Sequence, residues 1–193
     1  MASGIRLIVG LGNPGPRYVD TRHNAGCWFV EELAERYNGS WREEARFKSR
    51  VCEISVSGQK LWLLAPRTFM NHSGDAVGSF ARYYRIPVDE ILVVHDELDL
   101  LPGRVKLKQG GGAAGHNGLR DTTQQLGSQD YLRLRLGIGH PGKQSAVVNF
   151  VLKRPPEAEM SLIQSAIEHA ADHISDITQG DMQTAMNALH SHS

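Results

Sequence analysis

A chain of 193 residues, 40% hydrophobic and 22% charged, is the size of one domain and can bury a full core without disulfides or a structural metal. No run approaches the roughly 18 apolar residues of a membrane span, and the opening Met1-Ala2-Ser3-Gly4 is not a basic-then-apolar leader, so neither a membrane protein nor a secreted one is expected. Cys27 and Cys52 are too few for a disulfide framework and lack metal-type spacing, which fits a reducing cytoplasm.

In chain order, "IRLIVG" reads as a buried strand, and a helix is expected over residues 24 to 38, where Gly26, Val30, Leu33, Ala34 and Tyr37 recur at helical spacing. "RVCEISVSGQKLWLLAP" predicts two strands about a turn at Ser57-Gly58. "SGDAVGSFARYYRI" predicts a helix with Ser73 as its N-cap. "ILVVHDELD" is a strand whose apolar run suits burial on both faces of a largely parallel sheet. Residues 104 to 108 and 131 to 138 alternate apolar with basic, so each is a strand with one charged face. Between them lie a glycine-rich loop, residues 110 to 115, and the helical pattern "NGLRDTTQQL". "AVVNFVL" reads as a last strand, and one long amphipathic helix is expected after Pro156. No repeat or linker divides the chain. The expected fold is a single α/β domain over 1–193, with a mixed, mostly parallel sheet flanked by helices.

Formal net charge is zero, yet Leu101 to Lys143 holds seven basic residues against Asp121 and Asp130, a local balance of +5. Such a face suits an anionic partner, and also suits solvated strand surfaces. Gly10, Gly12 and Gly15 satisfy a dinucleotide fingerprint after the first strand. However, Pro14 and Pro16 delay the helix to about residue 22, and Glu31 and Glu32 lie inside a helical pattern where the ribose contact should end a second strand. A nucleotide cradle is therefore not expected.

The delayed helix places His23 in its first turn. With Thr21 as N-cap, the helix dipole disfavours imidazolium and leaves a neutral base near pH 7. Asn13, Asn71 and Asp96 all follow predicted strands, at the carboxyl ends where open α/β sheets bind ligands. Asp96 is suited to fix the tautomer of His23, and Asn71 and Asn117 to orient water or meet an oxyanion, although each Asn equally suits a turn or a cap. No Ser occupies a G-x-S-x-G setting. Cys27, four residues after His23, is either a thiol partner for that imidazole or a small buried filler. His95, His116 and His140 are scattered without metal-ligand spacing. The glycines of "QGGGAAGHNG", beside Lys106, Lys108 and Arg135, suit a mobile basic gate over the cleft.

"YVDTRHNAGCWFVE", "TFMNHSG", "VVHDELDLLPG" and "GGGAAGHNGLRD" together closely resemble the bacterial-type peptidyl-tRNA hydrolases, from about Ile5 through the terminal helices. The resemblance implies metal-independent hydrolysis, without a cofactor, of the ester joining a peptide to the 3′ ribose of tRNA, by a monomeric cytosolic enzyme. By motif position it implies that His23 accepts a proton from water, that Asp96 orients it, and that Asn13 separates blocked peptidyl from free aminoacyl groups. Tyr18, Phe69, Asn71 and Asn117 match substrate-binding positions, with Asn71 also suited to hold the attacking water. Met70 and His116 line the same cleft, and Lys106, Lys108 and Arg135 match positions that meet the acceptor stem and 3′ end of the tRNA. Many members have His-Gly where this chain has Ala113-Ala114. Two other readings are a non-catalytic RNA-binding homologue and a Cys27-dependent hydrolase.

Overall fold

A computed structural model describes residues 4–191. The reading of residues 1–3 as free of a leader, and the outer ends of the expected 1–193 domain, lie outside the described residues. Seven strands, β1 (Leu7–Gly10), β2 (Arg42–Glu44), β3 (Ser49–Val56), β4 (Gln59–Pro66), β5 (Ile91–Glu97), β6 (Val105–Gln109) and β7 (Leu132–Gly137), form one mixed sheet in the order β2-β3-β4-β1-β5-β7-β6. The four central strands run parallel. Antiparallel neighbours complete both margins, β3 and β2 on one side and β6 on the other.

The unbroken apolar runs of β1 and β5 are explained by cover on both faces. Ile8, Leu92 and Val94 pack into a core shared with α1 (Ala25–Arg36) and α5 (Glu157–Asp172). Leu7, Val9, Ile91 and Val93 face α2 (Ser73–Tyr83) and α3 (Asn117–Leu126). Two glycines of the false nucleotide fingerprint, Gly10 and Gly12, serve this packing, whereas Gly15 faces open space at a φ of +98°. A Cβ on Gly10 would collide with the Gly26 carbonyl of α1, one on Gly26 with the Val94 carbonyl of β5, and one on Gly12 would sit 2.6 Å from Cys27 Sγ. The first turn of α1 is thus pressed against the ends of β1 and β5.

Several expectations are corrected. "AVVNFVL" is helical, a 3-10 turn at Gln144–Ala146 leading into α4 (Val147–Val151). Its β-branched residues suit a strand, but the sheet margins are β2 and β6, and α4 presents only one side, with Val151 buried and Val148 exposed. The segment after Pro156 is α5, α6 (Ile174–Thr178) and α7 (Met182–His190), divided at His173 and at Gly180, whose φ is +82°. β2 carries no apolar pattern and was not foreseen. Ser73 does not cap α2: a 3-10 turn, Met70–His72, precedes it, and Ser73 Oγ donates to the Met70 carbonyl at 2.7 Å. The free Gly74 amide instead donates to Asp121 Oδ2 from α3 at 2.7 Å. Thr21 stands at the cap position of a 3-10 turn, Arg22–Asn24, but its hydroxyl donates to the Tyr18 carbonyl. No helix among the described residues is long and apolar enough to cross a membrane.

Candidate active site

A cavity of about 600 Å³ opens at the carboxyl ends of β1, β4 and β5. Its size suits a small-molecule moiety or the end of a larger substrate. It gathers Asn13, Tyr18, His23, Phe69, Met70, Asn71, Asp96, His116, Asn117, Lys108 and Arg135 from six separate stretches of chain. Of the sequence-derived candidates Lys106, half-buried on β6, and Cys27 lie outside its lining.

At its floor, Asp96 ends the buried part of β5 and is 4% exposed. His23 Nδ1 lies 3.0 Å from Oδ1 and 2.9 Å from Oδ2 of this carboxylate, and His116 Nε2 lies 2.8 Å from Oδ1. The remaining nitrogen of His116, Nδ1, accepts the Gly118 and Leu119 amides at 3.1 and 3.3 Å and so caps α3. The ring proton of His116 therefore sits on Nε2 and is donated to Asp96. His23 donates from Nδ1 to the same carboxylate, which leaves its Nε2 lone pair open. His23, Asp96 and His116 are a cluster of metal-type ligands, with candidate atoms within 4.8 Å of one another. The cap on α3 nevertheless occupies the lone pair of His116, so the cluster is organised to hold protons.

Burial of His23 opposes its charged form, but the Asp96 charge and hydrogen bond outweigh it, so its pKa is raised above the ordinary 6.5. Burial likewise opposes the Asp96 anion, and His23 and His116 together reverse that effect and hold its pKa below the usual carboxylate range. His95 lies behind the cluster, with its ring centroid 5.3 Å from that of His116 and its Nδ1 2.8 Å from the Asp96 carbonyl oxygen. Burial, then the neighbouring His116, brings its pKa down to about 4.

Asn13 is committed on one side: its Oδ1 accepts the Met70 amide at 2.7 Å, and its backbone exchanges two hydrogen bonds with the Asn24 side chain. This ties the loop after β1 to the turn after β4. Tyr18 and Phe69 meet edge to face, centroids 6.2 Å apart, and Phe69 remains 56% exposed at the rim. Asn71 is exposed in the turn before α2, and Asn117 opens α3 with Oδ1 accepting from Arg120. Met70 is buried and makes wall rather than contact surface.

Two arginines that sequence reasoning did not single out as site residues organise the surroundings. Arg22 is buried, stacks on the Phe150 ring at 3.9 Å and donates to the Phe150 and Lys153 carbonyls, fastening α4 beside His23. Arg133, in place of a solvated strand charge, is 2% exposed and donates to the carbonyls of Gly111, Gly112 and Gln129. The glycine loop is thus tied down by Arg133. Arg135 donates to Glu97 at 2.9 Å, and Lys108 is exposed with no carboxylate within 4 Å among the described residues. The only signal for Arg22 and Arg133 was a cation in an otherwise buried pattern. Cys27 is not a partner of His23: its thiol donates to the Gly10 carbonyl at 3.3 Å, and burial pushes its pKa up to about 12. The Cys27 hydrolase reading is therefore corrected, because that thiol is packing.

The peptidyl-tRNA hydrolase family model matches residues 7–193. The peptidyl-tRNA hydrolase of Tolumonas auensis is 53% identical over 192 residues, covering 99% of this chain and 98% of its own. That of Pectobacterium atrosepticum is 54% identical, covering 97% of each. A crystal structure of peptidyl-tRNA hydrolase from Acinetobacter baumannii superposes with a TM-score of 0.97 at 44% identity, covering 100% of this chain and 98% of that one.

Proposed function

The chain belongs to the peptidyl-tRNA hydrolase family, enzymes that hydrolyse peptidyl-tRNA, and from that premise we propose that His23 is the base of the reaction, acting on water without metal or cofactor. The observation that carries this reading is the pairing of His23 Nδ1 with Asp96 at 2.9 Å, which leaves Nε2 open within the cavity. Nε2 takes a proton from water as its oxygen attacks the ester carbonyl. The tetrahedral oxyanion collapses, the bond to the ribose oxygen breaks, and that oxygen leaves with the proton returned by His23. Peptide and free tRNA result. Asp96 holds the tautomer and balances the transient imidazolium. Asn71 holds the water and Asn117 donates to the oxyanion. Asn13, fixed by Met70 and Asn24, is the group that tells a blocked amide from a free amine. Tyr18, Phe69 and Met70 shape the rim and wall. Lys106, Lys108 and Arg135 meet phosphates of the acceptor stem and 3′ end, positioning the RNA without reading its sequence. The enzyme works as a cytoplasmic monomer.

The test is release of free tRNA from N-blocked aminoacyl-tRNA, followed with and without a chelator. Unmodified protein is expected to turn over equally in both, and His23→Ala to lose on the order of 10² to 10⁴ in rate. Full activity in His23→Ala, or loss on chelation, overturns the reading.

A further inference from the structure

We propose that His116 is a positioning residue for the hydrolysis: as a second hydrogen-bond donor on Asp96 it limits how tightly that carboxylate holds a proton on His23. The inference rests on the reading of His23 as the base.

Asp96 has almost no access to water, so the two histidines are its solvent. Oδ1 is shared between them, at 3.0 Å from His23 Nδ1 and 2.8 Å from His116 Nε2. A neutral donor on a buried carboxylate spreads its charge and weakens its pull on any other cation nearby. His116 is committed to that donation from its far side, because the Gly118 and Leu119 amides occupy Nδ1. The ring has little freedom to turn, standing 4.9 Å from the His23 ring and 5.3 Å from that of His95, with its side chain 10% exposed. The first turn of α3 therefore sets which nitrogen of His116 bears hydrogen, that hydrogen conditions Asp96, and Asp96 conditions His23. A cap alone needs no ring spanning from a helix to a carboxylate; Asn, Ser or Asp serves as well.

The other charged or titratable groups around the cluster are largely committed to different partners. His95 of β5 faces the Asp96 carbonyl oxygen, Glu97 of β5 pairs with Arg135 of β7, and Arg133 of β7 is spent on the glycine loop. Lys108 of β6, Asp99 after β5 and His140 after β7 stand on the cavity wall. Among the described residues His116 alone joins His23 on the carboxylate.

The experiment is the pH profile of kcat/KM on N-blocked aminoacyl-tRNA for the unmodified enzyme, His116→Asn, His116→Ala and His23→Ala. Asn caps α3 through its own oxygen but lacks the ring that reaches Asp96. His116→Asn is expected to melt near the unmodified protein while its rising limb moves to higher pH, by about half a unit or more. His116→Ala is expected to melt earlier with the limb displaced the same way. A limb in His116→Asn that stays put or moves down overturns the inference, whereas a retained limb in His23→Ala overturns the base assignment instead. Nitrogen-15 NMR of the histidines in the unmodified protein gives a readout independent of any variant: hydrogen on His116 Nε2 is expected, and hydrogen on Nδ1 overturns the inference.

Discussion

At His23 two influences of opposite sign meet, burial lowering the pKa and Asp96 raising it, and Asp96 prevails. Sequence alone could name both influences but not their balance, because the balance depends on a 2.9 Å contact between residues 73 apart. The rising limb of the rate is therefore expected above pH 6.5. Asp96→Asn removes the raising influence and leaves burial, so the limb should fall below 6.5. The plateau should drop on the order of 10² to 10⁴ as the tautomer is lost. A pH–rate profile checks both, and a limb that stays above 6.5 contradicts the account. Cys27→Ala is expected to retain most turnover at a modest cost in stability of about 1 kcal/mol, measured by tRNA release and urea unfolding. Loss of turnover with the fold intact would restore the thiol to the chemistry.

At the scale of elements, β6 and β7 bring Lys108 and Arg135 to one side of the cavity, but not equivalently. Arg135 shares its charge with Glu97, whereas Lys108 is exposed. Both Lys108→Ala and Arg135→Ala should raise KM before they touch kcat. Each should flatten the salt dependence of binding by a slope of roughly 0.7 to 0.9 per lost phosphate contact, with Lys108→Ala showing the fuller change. Filter binding across a salt series measures this, and an unchanged slope in both returns the face to solvent. The strands behind these residues were legible because runs such as "ILVVHDE" and "LRLRLG" leave little choice of partner face. The helical form of α4 is not legible because "AVVNFVL" has strand composition, and the contact that seats it is long-range: Arg22, 128 residues from Phe150, donates to the Phe150 carbonyl. The residues that line the cavity were legible as polar groups near strand ends and through family motifs. Alternation places Arg133 on a basic face suited to an anionic partner or to solvent, because it cannot tell either from a loop folded back over the strand.

For the whole molecule, the buried His95 makes acid the vulnerable side. Its folded pKa of about 4 lies below the ordinary 6.5, so its contribution is complete above 6.5 and is lost as pH falls toward 4. In the same window His23, whose pKa is raised, keeps its full stabilising contribution. Asp96, whose pKa is lowered, loses none until pH falls below the ordinary 3.8. Urea unfolding at pH 7 and pH 4.5 should show the loss in the unmodified protein and a flatter dependence in His95→Gln; equal slopes would place the acid sensitivity elsewhere. The Arg22 clamp has a consequence in time. Its bonds to Phe150 and Lys153 close loops of 128 and 131 residues, among the slowest closures available to a chain of this length. A copy of this chain still being synthesised is itself a peptide esterified to tRNA, the bond its family cleaves. Until residues 150 to 153 have left the ribosome, Arg22 has no carbonyls there to hold and α4 cannot seat beside His23, so the α4 wall is the last side of the cavity to be built.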